Sequence, residues 1–152
     1  MTDLAEPVST VRIGMLPASR MDLLRRALAR ACQAGARAAA VEGPVERILA
    51  DADVIVSLPW PPTDERPAVA RAAMTARKPL IVLEMTSTAE WPALDPQTWQ
   101  PRGFAGDPPI VVSIDPRDEE HSLMLAILRL ANDALLRRRL ADAAYAWATS
   151  HA

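Results

Sequence analysis

Residues 53–58 read Asp-Val-Ile-Val-Ser-Leu and stop at Pro59. The run is near-continuously apolar, β-branched and six residues long. A strand covered on one face alternates apolar and polar residues, whereas one covered on both faces does not alternate. This segment therefore predicts a strand buried on both faces, as in a parallel sheet with helices above and below. Leu80–Leu83 (Leu-Ile-Val-Leu) and Ile110–Ile114 have the same character, and Val11–Leu16 is a shorter version ending at Pro17.

Between these runs the period changes to that of helices. Ser19 is placed to cap a helix, with Asp22 three residues later where an acid favours a helix start. Met21, Leu24, Leu28 and Ala31 follow at helical spacing, and Gly35 marks the stop. Ala36–Val41 is expected to be a strand of low propensity, broken by Glu42-Gly43-Pro44. Pro44 can open a short helix through Ala50. Further helices are expected from about Pro67 to Ala76, Arg117 to Ala131 and Asp133 to Ser150. Thr86–Pro109 has no period and is expected to be a long irregular loop.

Strands alternating with helices imply right-handed crossovers. The expected fold class is α/β: a Rossmann-like, mostly parallel sheet with helices on both faces. The length of 152 residues suits one domain over 11–152 behind a tail of residues 1–10. Half the residues are hydrophobic and 24% are charged, which suits a globular chain. The net charge of −2 favours neither nucleic acid nor an anionic membrane as partner. Residues 1–10 carry acids and no apolar segment, and no run reaches the length of a membrane span. A cytoplasmic protein is expected. Its one cysteine, Cys32, cannot form an internal disulfide and is expected to be a small buried residue.

Most chemical motifs are missing from the sequence. It has no Gly-x-Gly-x-x-Gly, no Walker loop and no metal-ligand spacing of His or Cys. Ser57, Ser87 and Ser113 lack an evident His and acid partner, and His121 and His151 are expected at the surface. No metal and no cofactor are expected, and no catalytic residue is assigned. In parallel α/β sheets ligands bind at the carboxyl ends of the strands. Those ends are Leu16-Pro17, Glu42-Gly43-Pro44, Leu58–Arg66, Glu84–Ala89 and Ile114-Asp115. The loop after residues 53–58 places Asp64 and Glu65 just before a helix start. The free N–H groups there suit phosphate, and an acid beside them suits sugar or ribose hydroxyls. The same two acids would equally stabilise the helix dipole.

Ala52–Leu58, the Pro61–Glu65 loop, the following helix and Arg77-Lys78-Pro79-Leu80-Ile81-Val82 occur in a characteristic order. With Ser87–Pro92 and the Leu128–Leu140 pattern, they resemble the donor-binding half of family 4 glycosyltransferases, retaining enzymes of the GT-B fold. That family has an Ala-Asp-Val-x-Val strand, a loop ending Gly-Glu-Thr-Ser and a Gly-Lys-Pro-Val-Ile-Val strand. Glu65 falls on the loop glutamate, while Arg66-Pro67-Ala68 stands where the family has Thr-Ser-Gly. The resemblance spans about Val11 to Ala152 and leaves the family's N-terminal acceptor domain without a counterpart.

The resemblance implies a nucleoside-diphosphate sugar as ligand. Glu65 would hold sugar or ribose hydroxyls, the amides of Arg66, Pro67 and Ala68 would lie towards phosphate beside Asp64, and Glu42, Gly43 and Pro44 would line the base pocket. Proline has no amide hydrogen, so Pro67 offers no donor there. An alternative is a degenerate, non-catalytic interaction module of the same fold, and a third is a flavodoxin-like or receiver-like domain. The final helix carries Leu136, Leu140, Ala143 and Trp147 on one face. With no acceptor domain to cover it, that face predicts a homodimer or a partner subunit.

Overall fold

The computed structural model describes residues 9–16, 20–58, 68–84, 88–89, 91–102 and 107–150. It is an α/β fold with a seven-stranded, mostly parallel sheet and helices on both faces. The strands are β1 (Val11–Leu16), β2 (Ala38–Val41), β3 (Val54–Ser57), β4 (Leu80–Leu83), β5 (Ala93–Leu94), β6 (Pro101–Arg102) and β7 (Val111–Ile114). The helices are α1 (Met21–Gln33), α2 (Val45–Asp51), α3 (Ala68–Thr75), α4 (Glu119–Asn132) and α5 (Ala134–Ser150). A 3-10 turn, Pro116–Asp118, leads into α4.

The sheet order is β2-β1-β3-β4-β7-β5-β6. Every pairing is parallel except β5 with β6. Two-sided burial explains the continuous apolar runs. Val54, Val56, Ile81, Leu83, Val112 and Ile114 enter one core layer with α1 and α4. Ile55, Leu80, Val82 and Val111 enter the other with α2 and α3. Neighbours along each strand thus go to opposite layers, as the two-residue period of a strand requires.

Helix α5 belongs to both layers. Its early residue Leu140 is buried in the first, with Leu136 packed against it. Its later residues Ala144 and Ala148 are buried in the second. The helix passes the amino-terminal end of the sheet between them, where Arg77, ahead of β4, bonds Asp142 at 3.3 Å. Trp147 stacks at a tilt on Trp91 with ring centroids 5.4 Å apart. The apolar face expected to await another chain is therefore turned largely inward, and Leu135 is the large apolar residue of α5 left exposed. Leu136 and Leu140 cover the first layer and Ala143 and Trp147 the second, because α5 passes from one to the other.

Two other expectations are corrected. Cys32 is exposed, not buried. Leu24, Ala27 and Ala31 take the buried stripe of α1 and leave Cys32 beside it, its thiol 3.4 Å from the carbonyl oxygen of Ala38. The stretch expected as one irregular loop contains β5 and β6, joined through a turn in which Trp99 N–H donates to Asp95 O at 2.6 Å. Each strand has two residues, too few to display a period. Ser19 and His151 lie outside the described residues.

Candidate functional site at the carboxyl ends of the strands

A parallel sheet gathers the carboxyl ends of its strands on one edge. Here β2 leaves β1 to one side, and β3, β4 and β7 extend to the other. The order reverses between β1 and β3, and the crevice outside such a reversal is where doubly wound sheets take ligands. Leu16 pairs with Ser57 at the two strand ends that flank it. The expected site residues Asp64, Glu65, Arg66 and Pro67 follow β3 in sequence and lie outside the described residues. Ala68 is exposed and opens α3. Its helix connects two parallel strands, so it begins over this same edge.

Glu42, Gly43 and Pro44 form a turn at the carboxyl end of β2, as expected. Gly43 has φ +141, a conformation that strains any residue with a Cβ, and the Cβ would also stand 3.1 Å from Cδ of Arg47. Pro44, at φ −66, precedes α2. The carboxylate of Glu42 is engaged: Arg25 Nη2 donates to it at 2.6 Å. The turn lies at the outer strand, with β1 between it and β3.

A second group of charges stands at the ends of β4 and β7. Glu84 follows β4 and receives Nη1 of Arg102 at 2.6 Å. Arg102 Nη2 donates to the carbonyl of Ser113 at 3.3 Å. β5 pairs only as far as Val112, so this guanidinium takes over where the ladder stops. The buried Nε of Arg102 has no hydrogen-bond partner among the described residues. Asp115, just after β7, accepts from Arg117 through both carboxylate oxygens, Nε to Oδ1 at 3.1 Å and Nη2 to Oδ2 at 2.9 Å. It also accepts the Arg117 backbone N–H at 2.8 Å. The side-chain bond from Arg117, then that backbone N–H, hold the Asp115 carboxyl below the usual aspartate range. Asp115 in turn raises the Arg117 guanidinium.

Arg20, leading into α1, donates to Glu119 at the start of α4 at 2.8 Å, with both side chains mostly buried. The elements after β1 and after β7 are thereby tied together. Sequence reasoning marked Glu84 and Asp115 as strand ends but did not single them out, and it missed Arg102 and Arg117. The strand-end rule was the available signal for the acids. The arginines carried none, because Arg102 sits on a two-residue strand inside an aperiodic segment. No group of His, Cys, Asp and Glu suited to a metal ion occurs among the described residues. No described helix is long and apolar enough to cross a membrane. Comparison with known proteins finds no matching family model, no matching curated protein and no matching solved structure.

Proposed function

We propose that the chain binds a nucleoside-diphosphate sugar at the carboxyl edge of its sheet, as the donor-binding part of a sugar-transfer enzyme. The observation that supports this best is the reversal of strand order between β1 and β3; Asp64 and Glu65 follow β3 in sequence. Glu42 and Gly43 flank that crevice on the β2 side, and Arg102 and Arg117 bring cations to the β4–β7 side. Guanidinium groups match diphosphate geometry, and carboxylates match sugar hydroxyls. Transfer to an acceptor needs a second surface that holds both reactants in register. A second copy or a partner subunit would supply it, with β2, the longer of the two terminal strands, as the place to add another strand.

Thermal shift against nucleoside diphosphates and their sugars tests this. A ligand at a hundred times its Kd adds about 2.7 kcal/mol of stability. Stabilisation by at least one nucleotide, weakened in Glu65→Gln, is expected. No shift with any nucleotide at millimolar concentration would sink the proposal. That outcome would favour a second reading, a non-catalytic interaction module. One observation favours it: Glu42, Glu84 and Asp115 are each already engaged by an arginine of the same chain.

A further inference from the structure

At the opposite end of the sheet, a partly open cavity of about 450 Å³ is lined by Leu94, Pro108, Pro109, Leu136, Leu140 and the polar pair Arg139 and Asp142. Small-molecule clefts run from about 300 to 1,000 Å³. Three elements build the walls. Leu94 comes from β5, the two prolines come from the segment leading into β7, and the rest come from the first half of α5. Leu136, Arg139 and Leu140 stand at i, i+3 and i+4, so one face of the helix presents two leucines with a guanidinium beside them. Leu94 and Leu140 are buried. Pro108 and Pro109 have no backbone N–H, so that wall offers water no donor.

The two charges at the rim are not equivalent. Asp142 is paired with Arg77, whose guanidinium also lies 3.9 Å from the centroid of the Tyr145 ring. Arg139 is exposed and has neither an ion pair nor a hydrogen bond to any described residue. The cavity therefore has apolar walls, one neutralised acid and one uncommitted cation. A matching occupant has an apolar body and a single anionic group of planar, forked geometry.

We propose that this cavity binds a small amphipathic carboxylate, its hydrocarbon part against Leu94, Leu136 and Leu140 and its carboxylate on Arg139. The site is separate from the carboxyl edge and does not depend on nucleotide binding there. Octanoate and octanol share a chain length and differ in charge, so they separate the two parts of the proposal. In thermal-shift titrations of the full chain, octanoate is expected to stabilise the protein at lower concentration than octanol. Arg139→Gln, an exposed change that leaves the walls intact, is expected to weaken octanoate about tenfold, to the level of octanol. Leu136→Trp is expected to fill the cavity and abolish the response to both. Pro108→Trp closes the same cavity from its exposed rim if the helix variant does not fold.

Absence of any octanoate response overturns the proposal. So does a response that neither Arg139→Gln nor the filling variants alter, since the ligand would then sit elsewhere. Concentration-dependent self-association removed by the filling variants would assign the cavity to a second copy of the chain and overturn it as well.

Discussion

At the residue scale, the junction of α4 and α5 shows how little chain a sharp change of direction needs. Asp133 accepts the N–H of Leu136 at 2.9 Å, satisfying a donor that the first turn of α5 cannot use internally. Arg137 reaches back to the carbonyls of Leu130 and Ala131 at 2.6 and 3.2 Å, satisfying acceptors at the end of α4. One residue separates the helices, and each side of it serves the other. Asp133→Ala is expected to cost about 1 kcal/mol of stability in urea unfolding, the usual loss for an N-cap.

The same residue carries a pH signature. The Leu136 N–H, followed by the Arg129 side chain, holds the Asp133 carboxyl below the ordinary aspartate range. Asp115 is lowered by Arg117, and Glu120 by Arg26. A carboxyl whose folded pKa is depressed stabilises the fold above its unfolded pKa, and that stability is lost as the pH falls through the folded value. Stability is therefore expected to be level near neutrality and to decline below about pH 4, where unfolded carboxyls take up protons. Asp133→Asn retains a capping oxygen but cannot titrate. Its loss of stability between pH 7 and pH 3 is expected to be smaller than that of the parent chain, as unfolding midpoints at the two values would show.

At the element scale, the interior strand β1 admits α2 closely because it carries Gly14. A Cβ there would collide with Cγ2 of Ile48 and stand 3.1 Å from Cβ of Ala52. Ile48 is itself fully buried in the second core layer, so it can withdraw only by disturbing packed neighbours. Gly14→Ala is expected to destabilise by about 1–3 kcal/mol, the range for overpacking. Ile48→Val shortens the wall opposite, so the double variant is expected to lose less than the sum of the two single changes. A double-mutant cycle from chemical denaturation measures the difference.

This scale is also where the sequence was most legible. Apolar runs long enough to show that they do not alternate marked β1, β3, β4 and β7 to within a residue. The expected helix start at Arg117 falls instead in the 3-10 turn, because Asp115 caps that turn through the Arg117 N–H. β5 and β6 escaped because pairing between two-residue strands is a matter of neighbours in space. Cys32 was misplaced because alanines on either side of a helix stripe look alike. Of the candidate site, the Glu42–Pro44 turn was readable from glycine and proline alone. The Glu84–Arg102 pair was not, since the two are 18 positions apart in sequence and meet only when the sheet forms.

At the scale of the whole molecule, α5 ties the two core layers together, so neither can be lost alone. Trp99 packs against the first layer, and Trp91 is buried in the second. Variants keeping a single tryptophan, either Trp91 or Trp99, are expected to report coincident thermal and denaturant midpoints. Separate midpoints would mean that the layers open independently and that α5 does not couple them.

The passage of α5 from one layer to the other also bears on the order of events during synthesis. Every strand and the other four helices precede it in the chain. Both apolar faces of the nascent sheet stay incompletely covered until the residues of α5 have been made. Contacts that close last over long sequence separation expose apolar surface for longer and favour capture by other chains. A ribosome-bound chain lacking residues 134–150 would therefore be sticky on two sides at once, and release of this single helix would close both.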